Sequence, residues 1–153
     1  MIEIVNVHDY SGGLEKAAAY FHQAWSGISK TFYLDAIVHS SRPGLPLPRF
    51  YLLLKDARPI GCYGLVTNDF ISRHDLYPWF AALFIEESER GQQLGSLLLE
   101  HAGKEAAKVG FAEIYLTTDH EGYYEKYGWN QIEDGCERDG TPARIYSKST
   151  GQS

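Results

Sequence analysis

The stretch from Leu83 to Ala107, LFIEESERGQQLGSLLLEHAGKEAA, contains the end of an apolar strand, a turn with glycines and a helix. The strand is predicted from Tyr77 to Ile85 and the helix from Gln92 to Val109. One face of this helix carries small and apolar residues at helical spacing. These residues are Gly95, Leu99, Ala102, Ala106 and Val109. The pattern predicts that this face packs on a sheet.

The rest of the chain adds strands and helices in an order that indicates a mixed sheet. The further predicted strands are Met1–Val7, Arg49–Lys55, Ile60–Thr67, Ala112–Thr117, Trp129–Ile132 and Ala143–Lys148. The further helices are Leu14–Trp25 and Lys30–His39, with a short helical turn at Gly122–Tyr127. The order β-α-α-β-β-β-α-β-α-β-β predicts an α/β (α+β) fold: a mixed, mostly antiparallel central sheet with helices on both faces and one parallel β-α-β crossover. We expect a single domain over residues 1–148 and a disordered tail over residues 149–153.

Composition excludes several classes of protein. With 44% hydrophobic and 22% charged residues, the chain of 153 residues predicts an ordered domain. Its longest uncharged apolar stretch, Leu76–Ile85, is too short to span a membrane, and no signal peptide is recognisable. A net charge of −6 argues against nucleic-acid binding. Cys62 and Cys136 show neither metal nor disulfide spacing, and the histidines show no ligand spacing, so we expect a cytoplasmic protein without a metal.

The turn from Arg90 to Ser96 has the features of an anion site. A helix N-terminus offers free amides and a positive dipole end, the glycines allow close approach to the backbone, and Arg90 adds a cation. These features suit a pyrophosphate. The turn is neither a P-loop nor a dinucleotide fingerprint, because the required Lys and the third glycine are missing. Alternatively, Gly91 and Gly95 serve only a tight turn and a close helix–sheet contact.

Two motifs then resemble one known family. Arg90–Gly95 resembles the acyl-CoA-binding pattern Arg/Gln-x-x-Gly-x-Gly/Ala of the GNAT (GCN5-related N-acetyltransferase) superfamily, with Gln93 in place of the middle glycine. Tyr123–Trp129, YYEKYGW, resembles the aromatic-Tyr-Glu-Lys-x-Gly-aromatic motif near the end of the same fold. The order of strands and helices agrees with that fold along the whole chain. The sequence is therefore similar to GNAT acetyltransferases.

The resemblance implies how acetyl-CoA binds. Backbone groups of three strand residues are expected to hold the pantetheine amides, and amides of the turn are expected to surround the pyrophosphate. The cofactor-binding residues are accordingly Leu83, Phe84, Ile85, Arg90, Gly91, Gln92, Gln93, Leu94, Gly95 and Ser96. Gln93 places a side chain where the backbone usually comes closest, so we expect a slightly re-routed phosphate contact without loss of binding.

The resemblance also implies that Tyr124 protonates the leaving thiolate, whereas the sequence does not identify the base. Some related enzymes place a His or Glu on the strand before the cofactor motif, at positions matching Trp79 and Ala81. Neither Trp79 nor Ala81 can accept a proton, so this role does not carry over. The remaining candidates are Asp69, His74, Asp75, Asp119 and His120. His120 is preferred because it follows a strand where parallel strands should separate. All five also fit solvated loop residues or turn caps, and a water relay or a neutral amine would make a base unnecessary.

The expected function is direct transfer of acetyl from acetyl-CoA to a primary amine of a small molecule or peptide, in a ternary complex. The acidic balance favours cationic acceptors, although the sequence identifies neither the acceptor nor the preferred acyl group. Dimers are common among the proteins it resembles, so a homodimer is compatible with the resemblance. Two alternatives stay open: a non-catalytic acyl-CoA-binding or sensor module of the same fold, and a nucleotide- or phosphate-binding protein without specificity for coenzyme A.

Overall fold

The computed structural model describes residues 1–151. The strands are β1 Ile2–Asn6, β2 Arg49–Lys55, β3 Arg58–Val66, β4 Trp79–Ile85, β5 Glu113–Thr117, β6 Asn130–Gln131, β7 Gly135–Cys136, β8 Pro142–Ala143 and β9 Ile145–Ser149. The α-helices are α1 Leu14–Ala24, α2 Lys30–Val38 and α3 Leu94–Lys108, and a short 3-10 helix covers Tyr124–Tyr127. Hydrogen bonds join seven strands in the order β1-β2-β3-β4-β5-β9-β6. The fold is the predicted mixed α/β type with a mostly antiparallel central sheet and helices.

The chain forms two compact units that alternate along the sequence. The first unit comprises Met1–Leu65 and Ala82–Leu98, and the second comprises Val66–Ala81 and Leu99–Ser153. Strand β4 and helix α3 each contribute residues to both units. In the part of the chain that the structure describes, no helix is long and apolar enough to cross a membrane.

The first unit contains an antiparallel meander and two helices. Strand β1 pairs with β2 from Ile2↔Lys55 to Asn6↔Tyr51, and β2 pairs antiparallel with β3. The β2–β3 turn is tight because Asp56 and Ala57 both have positive φ. Helix α1 buries a stripe of residues at helical spacing, and its Phe21 ring packs edge-on against Phe50 at 5.5 Å.

The second unit contains the parallel strand pair. The first residue of β4, Trp79, pairs with Tyr115 of β5 in parallel, while β5 and β9 pair antiparallel along their full lengths. A buried cluster holds the loop before β4 against the last strand. Its members are Ile71, Trp79, Ala143 and Ile145. Asp119 and His120, two of the predicted base candidates, therefore follow a strand that is paired with β9 along its full length.

The start of the long helix and the strands near the end of the chain differ from the prediction. The helix begins at Leu94 instead of Gln92, because Gln93 has a left-handed backbone with a φ of 60°. The predicted order also lacks β7 and β8, which form a separate two-stranded sheet on either side of Asp139 and Gly140. Strands of two residues are too short to produce a recognisable alternation.

The prediction of a disordered tail is wrong for its first residues. Ser149 belongs to β9 and pairs with Glu113. Thr150 donates from its amide to the Ala112 carbonyl at 2.9 Å and from its hydroxyl to the Phe111 carbonyl at 2.6 Å. These hydrogen bonds hold the chain against the start of β5. The rest of the predicted tail at residues 152–153 lies outside the described residues.

Candidate functional site

The end of β4 has an irregular backbone directly before the residues that are predicted to bind pantetheine. Ala82 has a φ of 57°, which interrupts the extended conformation. The buried Cys62 of β3 lies below it, with its Sγ 3.6 Å from the Ala82 carbonyl oxygen. The following residues, Leu83 to Ile85, are half-buried. The strand therefore presents a kinked, partly exposed segment at the predicted pantetheine position.

The turn before α3 has the backbone that an anion site requires. Gly91 has a φ of 88° and Gln93 a φ of 60°, so the chain turns twice through the left-handed region before the helix begins. A Cβ atom at Gly91 or Gly95 would meet no heavy atom within 4 Å. Gly95 is therefore not required for a close helix–sheet contact. The space in front of both glycines leaves the backbone accessible to a ligand, while the positive φ of Gly91 also fits a tight turn.

The first turn of α3 provides the hydrogen-bond donors of this site. The first amides of an α-helix have no intrahelical acceptor, and here these are the amides of Leu94 and the residues that follow it. The carbonyl of Gln93 accepts from the Leu97 amide at 3.2 Å and from the Ser96 hydroxyl at 2.9 Å. The Gln93 carbonyl thus fixes the orientation of the turn. Gln93 itself is an exposed residue.

Glu89 anchors the turn, although no sequence pattern singles it out. The residue is only 7% exposed. Its carboxylate accepts from Lys55 Nζ at 3.1 Å and from Gln92 Nε2 at 3.4 Å, and Arg58 lies 3.9 Å away. Lys55 and Arg58 flank the β2–β3 turn, so these contacts tie the segment before α3 to that hairpin. In the sequence EESER, no local feature distinguishes Glu89 from Glu86 and Glu87.

Arg90 lies against the end of β4. Its Nε donates to the Ile85 carbonyl at 3.0 Å, and its guanidinium carbon is 5.9 Å from the centre of the Phe84 ring. The structure thereby brings together three of the predicted cofactor-binding residues. The interaction with the ring is of the cation–π type. Arg90 is exposed, which leaves its terminal nitrogens accessible at the predicted phosphate position.

Replacing Gln93 by glycine is expected to stabilise the protein. A non-glycine residue in the left-handed region costs roughly 1–2 kcal/mol, part of which is offset by the greater freedom of glycine in the unfolded chain. We therefore expect a gain of about 0.5–1 kcal/mol in the free energy of unfolding from urea titration. Gln92→Gly, at a neighbouring residue outside the left-handed region, should be neutral or destabilising. A stability loss in Gln93→Gly would show that the Gln93 side chain contributes a contact that outweighs its backbone strain.

Tyr124 occupies a ring cluster in the second unit. Its ring lies 4.9 Å from that of Tyr123, 5.9 Å from Tyr146 and 6.2 Å from Trp129, measured between centroids. Burial raises the pKa of the Tyr124 phenol, and a hydrogen bond with Thr118 opposes this rise. The phenol is therefore protonated at neutral pH and held at the end of β5. Tyr123 and Tyr127 are exposed.

The five candidate bases have different environments. Asp75 receives two hydrogen bonds from Arg73, at 2.9 and 2.7 Å, which lower its pKa, and His74 is exposed. Asp119 and His120 follow β5 and are also exposed. The amide of His120 donates to the Thr118 hydroxyl at 3.0 Å, so the turn that carries His120 is attached to the residue that contacts Tyr124.

Among the five candidate bases, Asp69 is the one whose carboxyl is shielded from solvent. Burial raises the pKa of its carboxyl to about 6. It lines a cavity of about 340 Å³ in the second unit. The lining residues are Asp69, Phe70, Ile71, Thr117, Thr118, Asp119, Glu137, Ala143 and Arg144. The cavity thus includes Thr118, the hydrogen-bonding partner of Tyr124.

No group of three or more His, Cys, Asp or Glu side chains within residues 1–151 is arranged to hold a metal ion. The expectation that the reaction needs no metal stays a prediction. Within the same residues, both cysteines are free, with Cys62 buried and Cys136 exposed. Burial raises the pKa of the Cys62 thiol well above its usual range, which makes it a poor nucleophile.

Comparison with solved structures shows the fold. An acetyltransferase of the GNAT family from Staphylococcus aureus Mu50 is 17% identical, with 98% of this chain and 99% of that chain covered and a TM-score of 0.66. An aminoglycoside 6'-N-acetyltransferase complexed with coenzyme A is 15% identical, with coverages of 98% and 97% and a TM-score of 0.70. A GNAT family acetyltransferase from Elizabethkingia anophelis with acetyl-CoA bound is 17% identical, with coverages of 97% and 97% and a TM-score of 0.62.

Comparison of sequences gives the family. No curated protein sequence matches the chain. The profile of the acetyltransferase (GNAT) domain matches residues 46–131, which is more than half of the chain. This range contains β4, the turn with Glu89 and Gly91, α3, β5 and the Tyr124 motif. The chain belongs to the GNAT acetyltransferase family.

Proposed function

We propose that the protein transfers an acetyl group from acetyl-CoA to a primary amine by direct attack, with both substrates bound. The observation that carries this proposal is the turn from Gly91 to Ser96. Its left-handed residues, the open space at Gly91 and Gly95 and the unpaired first amides of α3 suit a pyrophosphate. The structural neighbours with coenzyme A or acetyl-CoA bound support acetyl-CoA as the donor.

The first unit is assigned the binding of the cofactor. Backbone groups of Leu83, Phe84 and Ile85 would hold the pantetheine arm, since these residues are half-buried and follow the kink at Ala82. The amides from Gly91 to Ser96 would surround the pyrophosphate, and exposed Arg90 would add positive charge. Glu89 would keep the turn rigid, which reduces the entropy lost on binding.

The second unit is assigned the proton transfers. When the amine attacks the thioester carbonyl, a C–N bond forms and the C–S bond breaks, and the departing thiolate needs a proton. Tyr124 is proposed as its donor, because burial keeps the phenol protonated at neutral pH. His120, the base expected from the sequence, is exposed at the end of β5. The carboxylate of Asp69 is a better shielded alternative.

The acceptor is proposed to be a cationic small molecule or peptide. A net charge of −6 favours cationic partners, and one neighbour of the same fold is an aminoglycoside acetyltransferase. The two free cysteines support a cytoplasmic location. A homodimer is compatible with the family resemblance.

A non-catalytic acyl-CoA-binding module is the second candidate. It is favoured by Trp79 and Ala81, which occupy strand positions where related enzymes carry a base and which are both buried. The two candidates differ in one result. An enzyme releases free thiol from acetyl-CoA when an amine is added, whereas a sensor binds acetyl-CoA without amine-dependent release.

Acetyl-CoA is expected to stabilise the protein against heat. A ligand that binds only the folded state adds about 2.7 kcal/mol at a concentration of 100 Kd. For a chain of this size each kcal/mol raises the melting temperature by about 2–4 °C, so the expected rise is roughly 5–10 °C. ADP at the same concentration should give a smaller rise, because it lacks the pantetheine arm. No rise with acetyl-CoA would exclude the assignment, and an equal rise with ADP would favour a nucleotide-binding protein.

A further inference from the structure

In the loop after β3, the Asp69 carboxylate takes no part in the hydrogen bonds that close the turn. The side chain of Asn68 closes the turn: its Oδ1 accepts from the Ile71 amide at 3.1 Å, and its Nδ2 donates to the Ile71 carbonyl at 2.8 Å. Asp69 is therefore not the cap of this turn. Phe70 has a φ of 60°, which bends the chain directly after Asp69. Asp69 is half-buried, so it is neither a fully solvated loop residue nor the cap of this turn.

The Asp69 carboxylate is partly shielded from solvent, and no cation in the described part of the chain compensates its charge. Within residues 1–151 its carboxylate has neither a hydrogen bond nor an ion pair. Burial alone raises its pKa to about 6. A carboxylate without a partner loses solvation and gains nothing in return, which is an arrangement that proteins keep mainly at functional sites. A pKa close to the working pH is also what a general base requires.

The cavity connects Asp69 with the proposed acid. Asp69 and Thr118 both line it, and Thr118 is hydrogen-bonded to Tyr124. The Thr118 hydroxyl also accepts from the His120 amide, which fixes the turn after β5. A small molecule in the cavity could therefore contact both Asp69 and Thr118, the hydrogen-bonding partner of Tyr124.

The other charged groups that face Asp69 come from three further segments. Asp119 follows β5, Glu137 follows β7 and Arg144 precedes β9. Arg144 is already bound to Glu121 at 2.7 Å. These neighbours do not provide Asp69 with a cation of its own.

We propose that this cavity binds the acceptor amine and that Asp69 accepts its proton. The inference rests on the proposed acetyl transfer. The acceptor arrives as an ammonium ion, and Asp69 takes one proton to give the neutral amine. The amine nitrogen then attacks the thioester carbonyl, the C–S bond breaks, and the thiolate takes a proton from Tyr124. Tyr124 recovers a proton from the new amide nitrogen, and Asp69 releases its proton to solvent.

The test compares Asp69→Asn with the wild type in the full-length chain. The measurement is kcat at saturating acetyl-CoA and amine between pH 5 and 9, read as free thiol, with spermidine, tyramine and a lysine peptide as probes. Asp134→Asn, the same change at an exposed carboxylate outside the cavity, is the matched control. His120→Ala tests the competing base. Melting with and without acetyl-CoA checks the fold and the cofactor site of each variant.

Asp69→Asn is expected to lower kcat at pH 7 by roughly 100-fold or more. It should also remove the rise of wild-type kcat with pH on the acidic side of neutrality, and the rise in melting temperature with acetyl-CoA should be unchanged. Because asparagine carries no charge to desolvate, the variant should melt no lower than the wild type at pH 8. Asp134→Asn should behave as the wild type.

Three results would overturn the inference. The first is an active wild type together with an Asp69→Asn variant whose kcat is within threefold of the wild-type value and whose pH profile is unchanged. The same conclusion follows if His120→Ala loses activity and Asp69→Asn does not. The second is a variant that loses activity together with stability or acetyl-CoA binding, which indicates a structural role. The third is a wild type that binds acetyl-CoA but acetylates none of the probes, and only this result also contradicts the proposed function.

Discussion

Replacing Gly61 by alanine is expected to destabilise the protein by about 2–3 kcal/mol and to weaken acetyl-CoA binding. A Cβ atom at this position of β3 would lie 2.7 Å from the Phe84 carbonyl oxygen and 3.0 Å from Ile85 Cδ1. The first contact is with backbone, which cannot rotate away as a side-chain tip can. The clash must therefore displace the end of β4, where Phe84 and Ile85 are proposed to bind pantetheine.

The measurement is thermal melting together with acetyl-CoA titration. For a chain of this length the expected loss lowers the melting temperature by roughly 4–12 °C. Gly103→Ala is the matched control, because a Cβ there meets nothing within 4 Å on helix α3. Alanine in a helix should raise stability by roughly 0.5–1 kcal/mol. If Gly61→Ala melted and bound acetyl-CoA like the wild type, the close approach of β3 and β4 would be wrong.

Replacing Tyr124 by phenylalanine is expected to lower kcat by roughly 100-fold or more, with acetyl-CoA binding retained. The change removes only the phenolic hydroxyl, so the ring contacts with Tyr123, Trp129 and Tyr146 persist. The cofactor contacts proposed in the first unit are unaffected by it. Loss of turnover would therefore indicate loss of the proton donor and not unfolding of the protein.

Tyr127→Phe is the control for this change, since it makes the same substitution in the same motif on an exposed residue. It should keep wild-type activity. The pH profile adds a second readout: the wild-type rate should fall at high pH as the phenol ionises, above the usual pKa of tyrosine because burial raises it. An unchanged rate in Tyr124→Phe would remove this residue from the mechanism.

The long elements of the fold were predictable because their signals are local. Helix α1 and strand β2 follow the apolar spacing of their residues, and their observed bounds match the predicted ones within a residue. The start of α3 was not predictable in this way. Gln93 is an ordinary helix former, and its left-handed backbone is set by the anchored turn before α3. The β7–β8 hairpin was missed because its strands have two residues each.

The candidate site was predictable only where a motif specifies it. The spacing of Arg90, Gly91 and Gly95 indicated a phosphate site, and the structure gives these residues the turn and the open space that such a site needs. Glu89 and Asp69 were not distinguishable, because each is an acidic residue in a polar stretch. Their importance arises from burial against distant residues, as with Glu89 and Lys55, and burial of this kind leaves no local pattern.

The most direct test of the proposed function is acetyl transfer by the purified wild-type protein. Acetyl-CoA is incubated with single primary amines, free thiol is followed over time, and the acetylated amine is identified by mass spectrometry. We expect thiol release that depends on the amine, with one acetylated product formed for each thiol. Acetyl-CoA binding without amine-dependent thiol release for any cationic amine would exclude acetyl transfer and leave the sensor module as the better description.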